Sequence, residues 1–247
     1  MGKVVVRTPK LRGALEAADL CMMTEHTVLL LEVTDEAGIA IGSYLRSGDE
    51  SVLEDVSEAS KSAIRSQLEF LRALRRLGYR GEVVGVLPDE AAEADYELGL
   101  EAARLALRYR LTGKADLPEW LGLIDKYATA PERAPSEGAL VELTEGRRGW
   151  LLVTSPSSYF DIARRSRVAF EDVRYAGFPV AHAPLVQIFR LRRLGKLTPD
   201  ELRRLVSEQA EFVGVVEASR SVEEAHEIWT VRKLGSWARG GRRLLTR

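Results

Sequence analysis

The sequence predicts an α/β protein with a largely parallel sheet flanked by helices. Three observations carry that expectation. Short runs rich in Val and Leu recur along the chain. Between them lie longer segments whose apolar residues return at helical spacing. The two kinds alternate, which is the pattern that lays helices over the faces of a parallel sheet.

Taken in order, residues 3–7 (KVVVR) and 27–33 (TVLLLEV) read as buried strands. TDEAG then reads as a turn into a paired strand, IAIGSYL. A long helix is expected from about Glu54 to Leu77, because Ile64, Leu68, Leu71 and Leu74 recur at helical spacing and Gly78 can end it. GEVVGVL is the next strand. PDEAAEADYELGLEAARLALRYRLTG is a second long helix, with Pro88 at its first turn, acids early, Arg104, Arg108 and Arg110 late, and Gly113 at its end.

Residues 128–138, ATAPERAPSEG, hold two prolines and few apolar side chains and make the best linker in the chain. On either side lie an N-terminal region, 1–130, and a C-terminal region, 137–247, as two domains or as two halves of one sheet. Beyond the linker, SEGALVELTEG fits a short helix capped by Ser136 better than a hairpin arm. GWLLVTS is a strand, followed by a helix from about Tyr159 to Tyr175 that Gly177 ends. FPVAHA is a short extended piece and PLVQIFRLRRLG a helix. Thr198 and Glu201 have the spacing of a capping box, with Pro199 between, and open a helix running to about Gln209. FVGVVEA reads as a strand, and SVEEAHEIWTVRKLG as a helix begun by Ser221.

The 247 residues are 45% hydrophobic and 30% charged with a formal net charge of −1, which excludes a uniformly basic nucleic-acid coat and an acidic disordered chain. The charge is unevenly placed. Residues 1–100 carry 11 Lys and Arg against 18 Asp and Glu, whereas residues 151–247 carry 17 against 11. Cys21 is the lone cysteine, so no disulfide forms within the chain, and a reducing cytoplasmic setting is expected. No run approaches the length of a membrane span, so no membrane partner is expected. GxGxxG, the P-loop, GxSxG and HExxH are all absent. His26, His182 and His226 are far apart and read as separate structural histidines, and Cys21, in LCMMTEHT, as core.

The most informative stretch is residues 151–167, LLVTSPSSYFDIARRSR, where an apolar run meets a small-polar turn and an Arg-rich helix. Plain capping is one reading: Ser157 or Ser158 accepts from the free first-turn N–H groups, and Asp161 suits the helix dipole. The other adds an anion, because N–H groups and the hydroxyls of Ser155, Ser157 and Ser158 at a helix start can bind phosphate, with Arg164, Arg165 and Arg167 a turn along.

This stretch, as GWLLVTSPSSYFDIARRSR, resembles the late strand and following helix of PIN-domain nucleases. AGFPVAHAPLVQIFRLRRLGKLTPDEL resembles the end of the same family, and YELGLEAARLA its acidic helix start. The resemblance centres on residues 149–212 and implies a PIN-like or Rossmann-like sheet and contact with RNA or DNA. It also implies carboxylates that hold Mg²⁺ or Mn²⁺ if the chain is catalytically active. Two positions depart from the pattern. Pro156 stands where an acid follows VTS, and Arg7, in VVVRTPKL, where the opening strand carries one. LLLEVTDEAG supplies Glu32 and Asp35 instead. The catalytic site is therefore expected to be lost or rearranged. If it is active, Glu32, Asp35 and Asp161 are its candidates, with Glu93 and Glu97 as further members of a cluster at one sheet edge.

From Arg164 to Lys196 there are eight basic residues against two acids, and the tail from Arg232 to Arg247 has no acid. Arg164, Arg165, Arg190, Arg193, Arg239 and Arg242 are the candidates for a phosphate-backbone face. Trp229 and Trp237 are candidates for base stacking, Trp229 reading more readily as core. The leading expectation is a nucleic-acid-associated protein related to PIN nucleases. Two alternatives stand beside it: an interaction subunit that docks on an acidic protein or a second copy of itself, and an enzyme holding a phosphate-bearing small molecule at 155–158.

Overall fold

A computed structural model of the chain describes residues 2–131, 135, 137–145, 149–165 and 170–244. Its order begins with β1 (Gly2–Arg7), α1 (Leu11–Met23), β2 (Val28–Leu31) and α2 (Asp35–Ser47). A 3-10 turn (Glu50–Leu53), α3 (Glu58–Arg65), α4 (Leu68–Arg76), β3 (Glu82–Gly85), α5 (Asp89–Thr112), α6 (Leu117–Thr129) and α7 (Glu137–Thr144) follow. The chain then forms β4 (Trp150–Thr154), α8 (Pro156–Arg165), β5 (Phe170–Ala176), α9 (Pro184–Arg193), α10 (Pro199–Ala218) and α11 (Val222–Leu244).

The five strands form one all-parallel sheet in the order β3-β2-β4-β1-β5. Successive side chains on a strand face opposite sides. Val5, Leu29, Leu31, Leu151 and Val153 accordingly pack beneath residues of α1 to α4, such as Ala17, Ile41 and Leu71. Val4, Val6, Val28, Leu30 and Leu152 meet Leu140 of α7 and Ile162 of α8 on the other side. The connections β1→β2 and β2→β3 run toward the β3 edge over the first face. Those from β3 to β4 and from β4 to β5 run back over the second, as a single crossover handedness requires.

The chain forms two compact units interleaved in sequence: residues 1–96 with 131–178, and residues 97–130 with 179–247. The sheet belongs to the first. The second is helical, with Leu105, Trp120, Leu123, Ile188, Leu205 and Val206 in its core. The proline-bearing stretch 128–138 spans the point where the chain passes back into the first unit.

Several elements differ from the sequence reading, each for a local reason. IAIGSYL is the body of α2, because Thr34 is an N-cap accepting from Ala37 N–H and Asp35 and Glu36 fill the first turn. The long helix over 54–77 is divided into the 3-10 turn, α3 and α4; Ser57 caps α3, and the chain bends at Ser66 and Gln67. LPEWLGLIDKYAT, not assigned from sequence, is α6, capped by Asp116. The helix after β4 ends at Arg165, and 170–176 is the edge strand β5. FVGVVEA continues α10, since Leu202, Leu205, Val206, Gln209, Ala210 and Phe212 keep the helical burial period up to it, and that packing overrides the β preference of valine. The capping box at Thr198 and Glu201 is present, and Ser221 accepts from Glu224 N–H at the start of α11. The helical assignment of residues 137–144 holds, while Ser136 lies outside the described residues.

Candidate functional site

In an open parallel sheet, ligands bind beyond the carboxyl ends of strands where neighbouring connections leave toward opposite faces. β4 is such a strand. Its chain departs into α8 on one face, while both neighbours, β2 and β1, depart into helices on the other. The residues just past these strands are Glu32 after β2, Thr8 and Lys10 after β1, Ser155 after β4 and Gly177 after β5.

Glu32 is half-buried, deep among protein atoms with a side open to solvent. Its carboxylate accepts from Thr154 Oγ1 at 2.6 Å and from the Ser155 N–H at 3.0 Å. Burial pushes its carboxyl above the ordinary range, opposed by the hydroxyls of Thr154 and Ser158, the Ser155 N–H and the charge of Arg7. Ser155 caps α8: its Oγ accepts from Ser158 N–H at 3.2 Å and lies 3.1 Å from the hydroxyls of both Ser157 and Ser158. The three serines therefore do converge. A carboxylate from the chain itself already takes the Ser155 amide beside them, so an incoming phosphate meets negative charge there.

The turn after β1 is built differently. Thr8 is fully buried; its N–H donates to the Ala176 carbonyl at 3.1 Å and its hydroxyl to the Gly177 carbonyl at 3.1 Å. Gly177 has φ +80°, and a Cβ there would sit 2.2 Å from Thr8 Oγ1 and 2.4 Å from Gly13 Cα. Only glycine lets the β5 turn press this closely on the start of α1. Lys10 occupies the N-cap position of α1 with no side-chain cap, and it is only 4% exposed. Its ammonium makes no hydrogen bond or ion pair with any described residue. Its charge helps hold Glu16 below the ordinary carboxylate range, after the Arg12 guanidinium and the Gly177 N–H, which donates to Glu16 at 2.6 Å.

Beside this turn lies a run of aromatic rings. Tyr159 of α8 meets Tyr175 of β5 edge-on, with centroids 6.3 Å apart; Tyr175 meets Phe178 edge-on at 5.8 Å, and Phe160 tilts against Tyr159 at 5.9 Å. Phe160 is 67% exposed, Tyr175 57% and Phe178 45%. Arg164, exposed, lies one turn along α8 from Phe160 and shares its side of the helix.

Comparison with protein-family models, with curated proteins and with solved structures returned no match.

The other residues singled out from sequence are dispersed. Asp35 is exposed in the first turn of α2, Asp161 is half-buried on α8, and Glu93 and Glu97 are exposed on α5. Among the described residues no three His, Cys, Asp or Glu side chains come together in a group able to hold a metal ion, so these acids do not form the expected cluster. Arg190 and Arg193 are exposed on α9 in the helical unit. The side chains of Arg165, Arg167, Trp237, Arg239 and Arg242 lie outside the described residues. Trp229 is core, at 1% exposure. Cys21 is buried against α1's neighbours, and burial pushes its thiol up to about 12. His26 is held between the Thr24 carbonyl and the Tyr79 hydroxyl. No helix among the described residues is long and apolar enough to cross a membrane.

Sequence reasoning did not select Thr8, Lys10, Gly13, Tyr175, Gly177 or Phe178. Only a start at Lys10 without a capping side chain is visible in the sequence, in RTPKLRG, once the helix boundary is known.

Proposed function

We propose that this protein binds single-stranded nucleic acid at the carboxyl edge of its sheet, beside β5. The observation that supports this reading is the run of three exposed rings, Phe160, Tyr175 and Phe178, drawn from a helix, a strand and a turn. Every base has a π face, so such rings stack bases without reading their sequence. Arg164 beside Phe160 supplies a guanidinium for a phosphate or for a base face. The PIN resemblance of residues 149–212 points to the same ligand class. The test is fluorescence anisotropy of a labelled single strand at low salt. Expected are micromolar binding that weakens steeply with salt and a loss of about 10-fold or more in the triple variant Phe160→Ala, Tyr175→Ala, Phe178→Ala. No binding at low salt, or an unchanged affinity in the triple variant, overturns the reading.

A second reading, of a protein-docking subunit, has its own support in the helical unit. Leu100, Leu107 and Leu111 are exposed along one line of α5. It predicts a self-associating chain in sedimentation that Leu107→Glu converts to a monomer, and a wild-type monomer counts against it.

A further inference from the structure

We propose that β5 is the seam of a symmetric dimer. A second copy of this chain pairs its own β5 antiparallel to it, with Val173 on the two-fold axis, and the two five-stranded sheets become one. The inference does not rest on the nucleic-acid reading, and it uses a different surface from the exposed leucines of α5.

The backbone makes the pairing possible. β5 stands at one end of the sheet order and, at seven residues, is the longest of the described strands. No described strand lies along its outer side. The Ala176 carbonyl accepts from the Thr8 N–H, so the backbone groups of Ala176 face β1. These groups alternate in direction from residue to residue along a strand. Asp172 and Arg174 therefore also turn theirs toward β1, and Val173 and Tyr175 turn theirs outward. The register irregularity falls between the partners of Gly2 and Lys3, which leaves 172–176 regular. An antiparallel neighbour exchanges both N–H···O bonds between two such outward-facing residues.

The side chains then choose the occupant and the register. Charges on an edge strand ordinarily guard it against pairing. In β5 the guards have opposite signs and stand two residues apart, Asp172 and Arg174, on the same side of the sheet as Val5 and Ala176. Within the chain they form an ion pair at 2.7 Å, both partly exposed. With Val173 on the axis, Val173 exchanges two backbone bonds with its counterpart, and Asp172 lies directly opposite the partner's Arg174. Symmetry repeats that pair. It falls at a non-hydrogen-bonded position, where the Cα atoms come within about 4.5 Å and the side chains are closest. Centring the dimer on Asp172 or on Arg174 instead sets like charges opposite each other, which is destabilising. β3, the other edge, offers no such match, since Glu82 is the one charge in its four residues. Pairing runs in the plane of the sheet while the Tyr175 ring stands out from it, so the dimer and a base on that ring are compatible.

The test is sedimentation of the full chain over a concentration series, with Asp172→Arg, Arg174→Asp, the double variant and Leu107→Glu. The wild type is expected to dimerise. Each single reversal sets like charges opposite each other at both symmetric pairs and should weaken the dimer by at least about 10-fold. The double variant exchanges the signs and should recover it. The two single variants mixed one to one should also associate, because one is basic at both positions and the other acidic at both; that recovery shows in addition that each is folded. Leu107→Glu should leave the dimer intact. A wild type that stays monomeric at every concentration overturns the proposal, as does a dimer that neither reversal weakens. Single variants that neither the mixture nor the double reversal restores overturn it too. A dimer abolished by Leu107→Glu and indifferent to the reversals places the contact on α5 instead.

Discussion

Two strand-to-helix turns at the same sheet edge solve the same problem in opposite ways. After β4, Ser155 caps α8 and Glu32, delivered by the neighbouring strand, accepts the Ser155 amide. After β1, no side chain caps α1, and the residue at the cap is a buried lysine. Each turn has an anion from within the chain: Glu32 on the Ser155 amide at the first, and Glu16 on the Gly177 amide, within reach of the Lys10 charge, at the second. A small-polar turn such as TSPSS therefore signals a satisfied helix end as readily as a ligand site.

The contrast can be broken at several points. The largest expected effect is at Gly177, where a Cβ would strike Thr8 and the Gly13 backbone at positive φ. Gly177→Ala should cost about 3 kcal/mol in urea unfolding and separate the rings from α1. Next comes Glu32→Ala, which leaves the Thr154 hydroxyl and Ser155 amide without their acceptor and should cost about 2 kcal/mol. Glu32 also has a pH signature. Its native carboxyl holds its proton at higher pH than in the unfolded chain. The native state therefore binds more protons between the unfolded and native pKa values, and stability falls as pH rises through that window. Glu32→Gln should remove that slope, seen as a flatter pH dependence of the urea midpoint above about pH 4.5; an identical profile in wild type and variant counts against a raised Glu32. Ser155→Ala should lose the α8 cap at about 1 kcal/mol. The smallest expected effect is that of Lys10→Met, which should leave stability within about 0.5 kcal/mol of wild type, since the α1 cap position makes no side-chain cap bond. A loss above about 2 kcal/mol would give Lys10 a structural role instead.

Much of the sheet was legible because its strands are local signals. KVVVR, TVLLLEV and GWLLVTS are largely buried on both faces, and GEVVGVL, at the edge opposite β5, is still dominated by valine, so these runs announce themselves by composition. β5 was missed because it is an edge strand with mixed burial, FEDVRYA, whose Arg and acids continue the pattern of the helix before it. IAIGSYL and FVGVVEA were read as strands because β-branched and apolar residues dominate them; the Thr34 cap and the buried face of α10 make both helical. At the site, Glu32 and the three serines were legible as polar residues ending apolar runs. That Glu32 binds the serine turn was not, since the two segments are 123 positions apart and meet only through the pairing of β2 with β4.

The sequence by itself determined the α/β class, most strand positions, the capping box at Thr198 and the core places of Cys21 and Trp229, because these depend on composition and on periods of a few residues. Tertiary structure alone decided the strand order, the interleaving of the two units, the dispersal of the acids, the meeting of Gly177 with Thr8 and Gly13, and the gathering of the aromatic run. Those outcomes depend on which strands become neighbours, and parallel strands are joined by crossovers long enough to leave that choice to packing rather than to any local stretch of chain.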